Sequence, residues 1–260
     1  MTAIDGETPM SAKQQSEREF LRHYNIHDYD VPLTSVDLVI LAVRDEGLHV
    51  LLVKRGEHPF KEHWALPGGF IDVHHDQDLQ ATALRKLREK TGVDTPYLEQ
   101  LQGFGNKTRD PRGWSTTFAY FALIPSEHIE LTHGANVEAA QWYRIDGSSV
   151  APHLAFDHAH ILEVAIQRVR NKVEYSSLPV HLLPETFTLS ELQRVHEIVL
   201  GRAVDKSAFR KRIKEGDFLE EVPNAWRYGS NRPAQLYRRR PDRPMVFFPR
   251  VMSGRTEEAS

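Results

Sequence analysis

Residues Gly69–Val93 read GFIDVHHDQDLQATALRKLREKTGV, and the reading of this stretch settles the rest of the chain. Its second half predicts a helix over roughly Asp78–Lys90, stopped by Gly92. Residues three and four apart share a helix face, so Lys86, Glu89 and Lys90 point together. That face offers one carboxylate and two ammonium groups, and an ammonium has no lone pair for a cation. Glu89 is therefore expected to pair with one or both lysines. Taken alone, residues 77–91 also fit an ordinary charge-laced amphipathic helix. Immediately upstream, Trp64-Ala-Leu-Pro-Gly-Gly-Phe70 places a turn at Pro67-Gly68-Gly69 that leads into the helix.

With that upstream turn, the stretch resembles the Nudix box, a loop–helix–loop of Gly, a Glu, and Arg-Glu-U-x-Glu-Glu-x-Gly-U with U aliphatic. Arg85, Leu87, Glu89, Gly92 and Val93 fit, whereas Lys86 and Lys90 stand at two glutamate positions. The segment between glycine and helix is two residues longer than usual, and the upstream Glu falls near Gln77. The resemblance implies an α/β (α+β) fold, the Nudix α/β/α sandwich. Three carboxylates on that face would suit Mg²⁺, which wants oxygen ligands. The Lys–Glu–Lys set implies a domain that binds a nucleotide-like ligand but has lost hydrolysis. Arg85 matches an arginine that orients a carboxylate in catalytic members.

At 260 residues the chain accommodates two domains or one large one. The absence of cysteine excludes disulfides and thiolate metal sites and fits a reducing compartment. No apolar run is long enough for a membrane span, and the polar N-terminus lacks a signal-peptide core. These features predict a cytoplasmic protein with no membrane partner. Residues 1–20 and 251–260 are expected to be flexible. Charge is uneven: residues 187–250 hold 14 Lys/Arg against 8 Asp/Glu, while residues 1–186 hold 18 against 26. A basic module on an acidic chain points to a polyanion partner for one domain only.

Strands are expected at Val36–Val43, Leu48–Arg55, Tyr97–Gly105, Trp114–Ile124 and Val137–Tyr143, and a long helix at Ala155–Lys172. A boundary near Tyr175–Glu185 divides an effector-binding domain, 21–180, from a second domain, 181–250. There Thr188 and Glu191 form a capping box, with Phe187 and Leu192 as hydrophobic staple. A helix to Leu200, stopped by Gly201, is followed by a second over Lys206–Lys214 with Asp205 as N-cap. A hairpin of Trp226–Pro233 and Gln235–Arg240 completes a winged helix-turn-helix.

In the second helix Phe209 and Ile213 bury one stripe, leaving Lys206, Arg210, Lys211 and Lys214 outward, with Ser207 near the helix start. Such a helix suits a major groove. Thr188, Asn231, Arg232 and Arg238 complete the expected DNA-facing set, with arginines of the hairpin reaching the minor groove or backbone.

The two halves together resemble the Nudix-related transcriptional regulators of bacterial NAD metabolism over about residues 35–240. The residues that carry this are His58-Pro59-Phe60, Trp64–Phe70, Leu84–Thr91, Arg109–Ser115, Leu154–His158, Phe187–His196 and Arg232–Tyr237. The resemblance implies a homodimeric repressor on a palindromic operator in double-stranded DNA, associated with the nucleoid when bound. ADP-ribose or a related metabolite would release it, and no cofactor is required. Diphosphate wants arginine or backbone N–H groups, which nominates Arg55, Gly68, Gly69, Arg85, Lys86, Glu89 and Lys90. Phe70 or Trp114 would stack on a base or pack in the core. Arg109 and Arg112 sit on a loop that would close over a ligand, reach a dimer partner or stay solvated. Asp157 is expected to cap the long helix and His158 to line the pocket. The histidines lack convergent metal spacing. The competing readings are a Mg²⁺-dependent hydrolase of ADP-ribose or nucleotide sugars, a sugar-phosphate-sensing regulator, and a protein-interaction module whose basic domain meets RNA or acidic protein.

Overall fold

The computed structural model describes residues 12–93, 97–126, 137–229 and 232–249. Two compact units result, Met1–Pro32 and Leu33–Ser260. The first contains helix α1 (Ala12–His23) and a 3₁₀ turn at Ile26–Asp28. Helix α1 covers part of the segment up to Phe20 that was expected to be flexible. The expected flexible tail lies outside the described residues.

The second unit is built on a mixed sheet of β1 (Leu33–Arg44), β2 (Gly47–Arg55), β3 (Trp64–Ala65), β4 (Gly68–Phe70), β5 (Tyr97–Asn106), β6 (Ser115–Leu123) and β7 (Val137–Arg144). The order is β3-β2-β1-β6-β5, with β4 paired to β1 and β7 to β2. β1 and β6 run parallel. Residues 36–42 of β1 are all buried because both sheet faces are covered. Val36, Leu38, Ile40 and Ala42 meet helix α2 (Leu79–Thr91) through Ala83 and Leu87. Val39 and Leu41 face the opposite way, into the cluster formed with helix α3 (His158–Tyr175) through Ile161, Leu162, Ala165, Ile166 and Val169. This period of two produces the α/β/α sandwich. Among the described residues no helix is long and apolar enough to cross a membrane.

A 3₁₀ turn, Leu178–Leu182, leads to β8 (Thr186–Phe187), α4 (Leu189–Leu200), α5 (Lys206–Gly216), β9 (Leu219–Arg227) and β10 (Ala234–Arg239). The strands order β8-β10-β9, which makes a winged helix-turn-helix. Thr188 and Glu191 close the capping box as expected, and Gly201 ends α4 with φ of 68°. The first wing strand runs Leu219–Arg227 and the second Ala234–Arg239, so the first starts earlier and ends earlier than the expected Trp226–Pro233.

Among the described residues the winged helix has no separate core. Leu192, Val195, Val199, Phe209 and Ile213 belong to the same apolar cluster as Val39, Phe121 and Val169. The chain after β10 returns over this joint. Ser177 N–H donates to the Val246 carbonyl at 2.9 Å and Phe248 N–H to the Tyr175 carbonyl at 2.7 Å. Arg170 of α3 donates to the Val199 carbonyl of α4 at 3.1 Å, and Arg194 of α4 meets Glu46 of the β1–β2 turn at 2.5 Å.

Candidate functional site: a two-walled cleft and a basic helix

A cleft of about 970 Å³ opens where β1, β4, α2, the loop after β5 and the start of α3 converge. Of the residues nominated from the sequence, Arg55, Gly68, Gly69, Phe70, Arg85, Lys86, Glu89, Lys90, Arg109, Arg112 and His158 line it. Trp114 does not. Its ring lies against Gly105, where an added Cβ would come within 3.2 Å of it.

Along the α2 wall both oxygens of Glu89 are engaged, one by Arg85 Nη1 at 3.1 Å and one by Lys86 Nζ at 3.1 Å. Desolvation pushes its carboxyl pKa up, but Lys86 and Arg85 together outweigh this and hold it below the usual range. Lys90 is 6 % exposed. Burial lowers its pKa, partly offset by Glu89, and it makes no ion pair with a described residue. Lys86 lies over Gly69, whose φ of 155° and lack of side chain make room for it. An α2 face with one carboxylate, already taken by two cations, does not fit a divalent metal. Among the described residues no cluster of three or more His, Asp or Glu is arranged to hold one.

Arg85 is bound to a carboxylate, but not at the position near Gln77 where the upstream Glu was expected. Gln77 is exposed. The acid is Asp76, one residue earlier. It accepts from Arg85 Nε at 2.7 Å and Nη2 at 2.5 Å, from Thr82 Oγ1 at 2.8 Å and from Asp72 N–H at 2.9 Å. The Arg85 hydrogen bonds above all hold its carboxyl far below the usual range.

The α3 wall is also charged. Within the otherwise exposed loop after β5, Arg109 and Asp110 are turned inward, 8 % and 5 % exposed. Asn106 Oδ1 accepts from the N–H groups of Thr108 and Arg109, at 2.8 Å each, folding the loop inward. Arg109 then grips Asp157 bidentately, at 3.0 and 2.9 Å. This corrects the capping role expected of Asp157, which makes no side-chain cap to α3. Arg112 forks onto Asp110 at 3.0 and 2.7 Å and lies 5.4 Å from the ring centre of Phe70. Arg55 stacks on Phe156 at 4.8 Å and donates to the Pro59 carbonyl at 2.8 Å. His158 is fully enclosed and accepts from Leu66 N–H at 2.9 Å. Burial lowers its pKa, opposed by Asp37 and Asp157.

Asp37, Asp76, Asp157 and Phe156 were not among the nominated ligand residues. Phe156 carries a φ of 55°, a conformation costly for a non-glycine residue. No local sequence signal marks it.

On α5, Phe209 and Ile213 are buried while Lys206, Ser207, Arg210, Lys211 and Lys214 are exposed. Lys206, Arg210 and Lys214 form no ion pair with described residues, and Lys211 reaches Glu215 only at 3.9 Å. Thr188 does not join this surface: it is 4 % exposed and its hydroxyl accepts from Glu191 N–H. Arg238 is exposed but bound to Glu220 at 2.5 Å, Arg239 to His181 at 2.7 Å and Arg240 to Asp217 at 3.2 Å. Of the hairpin cations nominated, Arg232 alone stands without an ion pair among the described residues. Asn231 lies outside them.

Comparison with known proteins agrees with both halves. Residues 34–164 match the NUDIX domain and residues 179–239 the NrtR DNA-binding winged helix domain. The ADPR responsive transcriptional repressor NtrR of Acinetobacter baylyi is 46 % identical over 225 residues, 86 % of this chain and 88 % of that protein. The crystal structure of Shewanella oneidensis NrtR complexed with a 27mer DNA is 42 % identical with a TM-score of 0.76, covering 85 % of this chain and 99 % of that one. The NUDIX domain of the same Shewanella protein, crystallised with ADP ribose, is 43 % identical with a TM-score of 0.54, covering 58 % and 97 %. A Nudix sandwich continued through one core into an NrtR winged helix places this chain in the NrtR family of transcriptional repressors.

Proposed function

We propose that this chain represses genes of NAD metabolism by binding a palindromic operator as a cytoplasmic homodimer. ADP-ribose or a related metabolite in the cleft releases it. The observation that carries this reading is Lys90, an ammonium buried in the cleft wall with no ion pair among the described residues. A buried cation without a partner is costly, and a diphosphate would relieve that cost. Lys86 stands beside it, ready to share the same anion. The relatives' DNA and ADP-ribose complexes support the reading.

The lysines that favour a diphosphate also disfavour hydrolysis. Without carboxylates at positions 86 and 90 the α2 face cannot assemble the oxygen ligands of Mg²⁺, and hydrolase activity is expected to be lost. Arg55, Arg112, Phe70 and His158 line the rest of the effector cleft. Lys206, Ser207, Arg210, Lys211, Lys214 and Arg232 would meet DNA. The shared core supports a protomer that moves as one body, so release would come from how the two protomers sit relative to one another. An internal hinge would give a different mechanism.

The test is a titration of operator DNA at fixed salt, with and without ADP-ribose, because affinity falls steeply with salt. Tight binding released by ADP-ribose is expected. In the double variant Lys86→Glu/Lys90→Glu, ADP-ribose affinity is expected to fall about a hundredfold or more as charge-assisted contacts are lost, with DNA affinity retained. Unchanged ADP-ribose affinity would refute the role of these lysines. Mg²⁺-dependent hydrolysis of ADP-ribose well above background would overturn the repressor-only reading.

A further inference from the structure

The cleft has two walls of opposite character, and the diphosphate accounts for one. On the α3 wall the carboxylate of Asp37 is 9 % exposed and lines the cleft. Its Oδ2 lies 3.6 Å from Arg109 Nη2 and 3.7 Å from His158 Nε2, both beyond hydrogen-bond range. Arg109 is already committed to Asp157. His158 accepts at Nδ1 from Leu66 N–H, so the proton of the neutral ring is on Nε2, facing Asp37. Among the described residues no group donates a hydrogen bond to this carboxylate. The Arg109–Asp157 pair is neutral, and Arg55, which lines the same cleft, is engaged by the Pro59 carbonyl and the Phe156 ring rather than by this carboxylate.

A buried carboxylate is acceptor-only and needs donors. Phosphate supplies none and is repelled. Sugar hydroxyls supply them without charge. The backbone between the walls is bare: a Cβ at Gly68 would sit 2.3 Å from Asp37 Oδ1, and one at Gly69 would sit 3.1 Å from Lys86 Cε. Successive strand residues face opposite ways, so the Gly68–Gly69 step separates an acceptor wall from an ammonium wall within one cleft.

We propose that Asp37 is the specificity-determining acceptor for the vicinal hydroxyls of the effector's terminal sugar. The ligand then lies with its diphosphate at Lys86 and Lys90 and that sugar at Asp37. Arg109 and His158 flank the carboxylate beyond hydrogen-bond range, and Asp157 keeps Arg109 engaged. The inference rests on the ADP-ribose reading and deepens it: a ligand ending in a further phosphate would meet like charge.

The test is calorimetric binding to the full chain of ADP-ribose, its terminal 2″-deoxy analogue and ATP, repeated with Asp37→Asn after thermal unfolding has confirmed the fold. For the wild type, the deoxy analogue is expected to bind about tenfold or more weakly than ADP-ribose, the effect of losing a hydrogen bond to a charged group. In Asp37→Asn, ADP-ribose affinity falls by a similar factor while ATP affinity rises. A gain for ATP is a result that mere damage would not produce. Equal binding of ADP-ribose and the deoxy analogue by wild type overturns the proposal without recourse to the variant. Equal losses for ADP-ribose and ATP in Asp37→Asn assign Asp37 a structural role only and overturn it too. Wild type that binds no ADP-ribose overturns the effector reading and this inference with it. Wild-type binding with unmoved selectivity in the variant overturns this inference alone.

Discussion

The cations of the cleft and those of α5 are treated in opposite ways. In the cleft, Arg85 is held by Asp76 and Glu89, Arg109 by Asp157, and Arg112 by Asp110. Lys90 is left over. On α5, Lys206, Arg210 and Lys214 stand in solvent with no ion pair among the described residues, while the hairpin arginines Arg227, Arg238 and Arg240 are tied to Glu191, Glu220 and Asp217. Pairing fixes shape, and leaving a cation unpaired keeps its charge for a partner. A small ligand needs a rigid pocket with few open groups. A polyanion needs a row of free charges whose exact positions matter less.

The contrast concerns charge and does not extend to the core, and a large cavity mutation would show this. Phe209→Ala, in the winged helix, is expected to cost about 3–5 kcal/mol. It should leave one unfolding transition, seen alike by probes in the sandwich and in the wing. Two separated transitions would mean that the halves are independent domains.

Arg109→Met probes the paired class directly. It strands Asp157 and Asp37 in a buried site and is expected to cost about 3–5 kcal/mol, as broken buried pairs do. Lys214→Ala, its counterpart on α5, should leave stability unchanged. Similar costs in urea denaturation would erase the distinction between paired and unpaired cations.

Two buried histidines sharpen the comparison. His158 has carboxylates nearby, whereas His196 of α4 has none in contact. Its Nδ1 donates to the Leu192 carbonyl at 2.8 Å, and its Nε2 has no partner among the described residues. Burial, with Arg212 adding to it and Glu197 and the Leu192 carbonyl opposing, pushes its pKa down to about 4. The unfolded chain binds this proton first as pH falls, so stability is full above pH 6.5 and lost towards pH 4, by about 3 kcal/mol at most. His196→Leu should flatten that part of the stability–pH curve. A curve of unchanged slope would show that the imidazole opens to solvent.

The smallest effect is the most specific. Arg210→Ala should lower operator affinity by roughly tenfold or less and reduce the salt slope by about 1, with ADP-ribose binding untouched. A change in ADP-ribose affinity would show that the surfaces are less separate than their pairing suggests.

Much of this was legible in the chain itself. The continuous apolar runs of β1 and β2, the Gly92 and Gly201 stops, the Thr188–Glu191 capping box and the Phe209–Ile213 stripe are local patterns. Each states its own geometry through sterics or period. The Lys86–Glu89 pair follows from helical spacing alone, and the basic face of α5 from the same periodicity.

What the tertiary structure decided are pairings across sequence. Asp76, one residue before the position near Gln77 where the upstream Glu was expected, is the acid that meets Arg85. Arg109 meets Asp157 across 48 positions, which turned an expected loop cation and helix cap into one buried clamp. Thr188 is buried by its capping box, and Arg238, though exposed, is paired with Glu220, a partner its local sequence does not advertise. Asp37 sits in a strand where period alone cannot say that no donor will reach it. Local sequence determines which groups share an element and a face. Which charges are satisfied and which stay open for a ligand depends on distances between elements, and those are set only when the core closes.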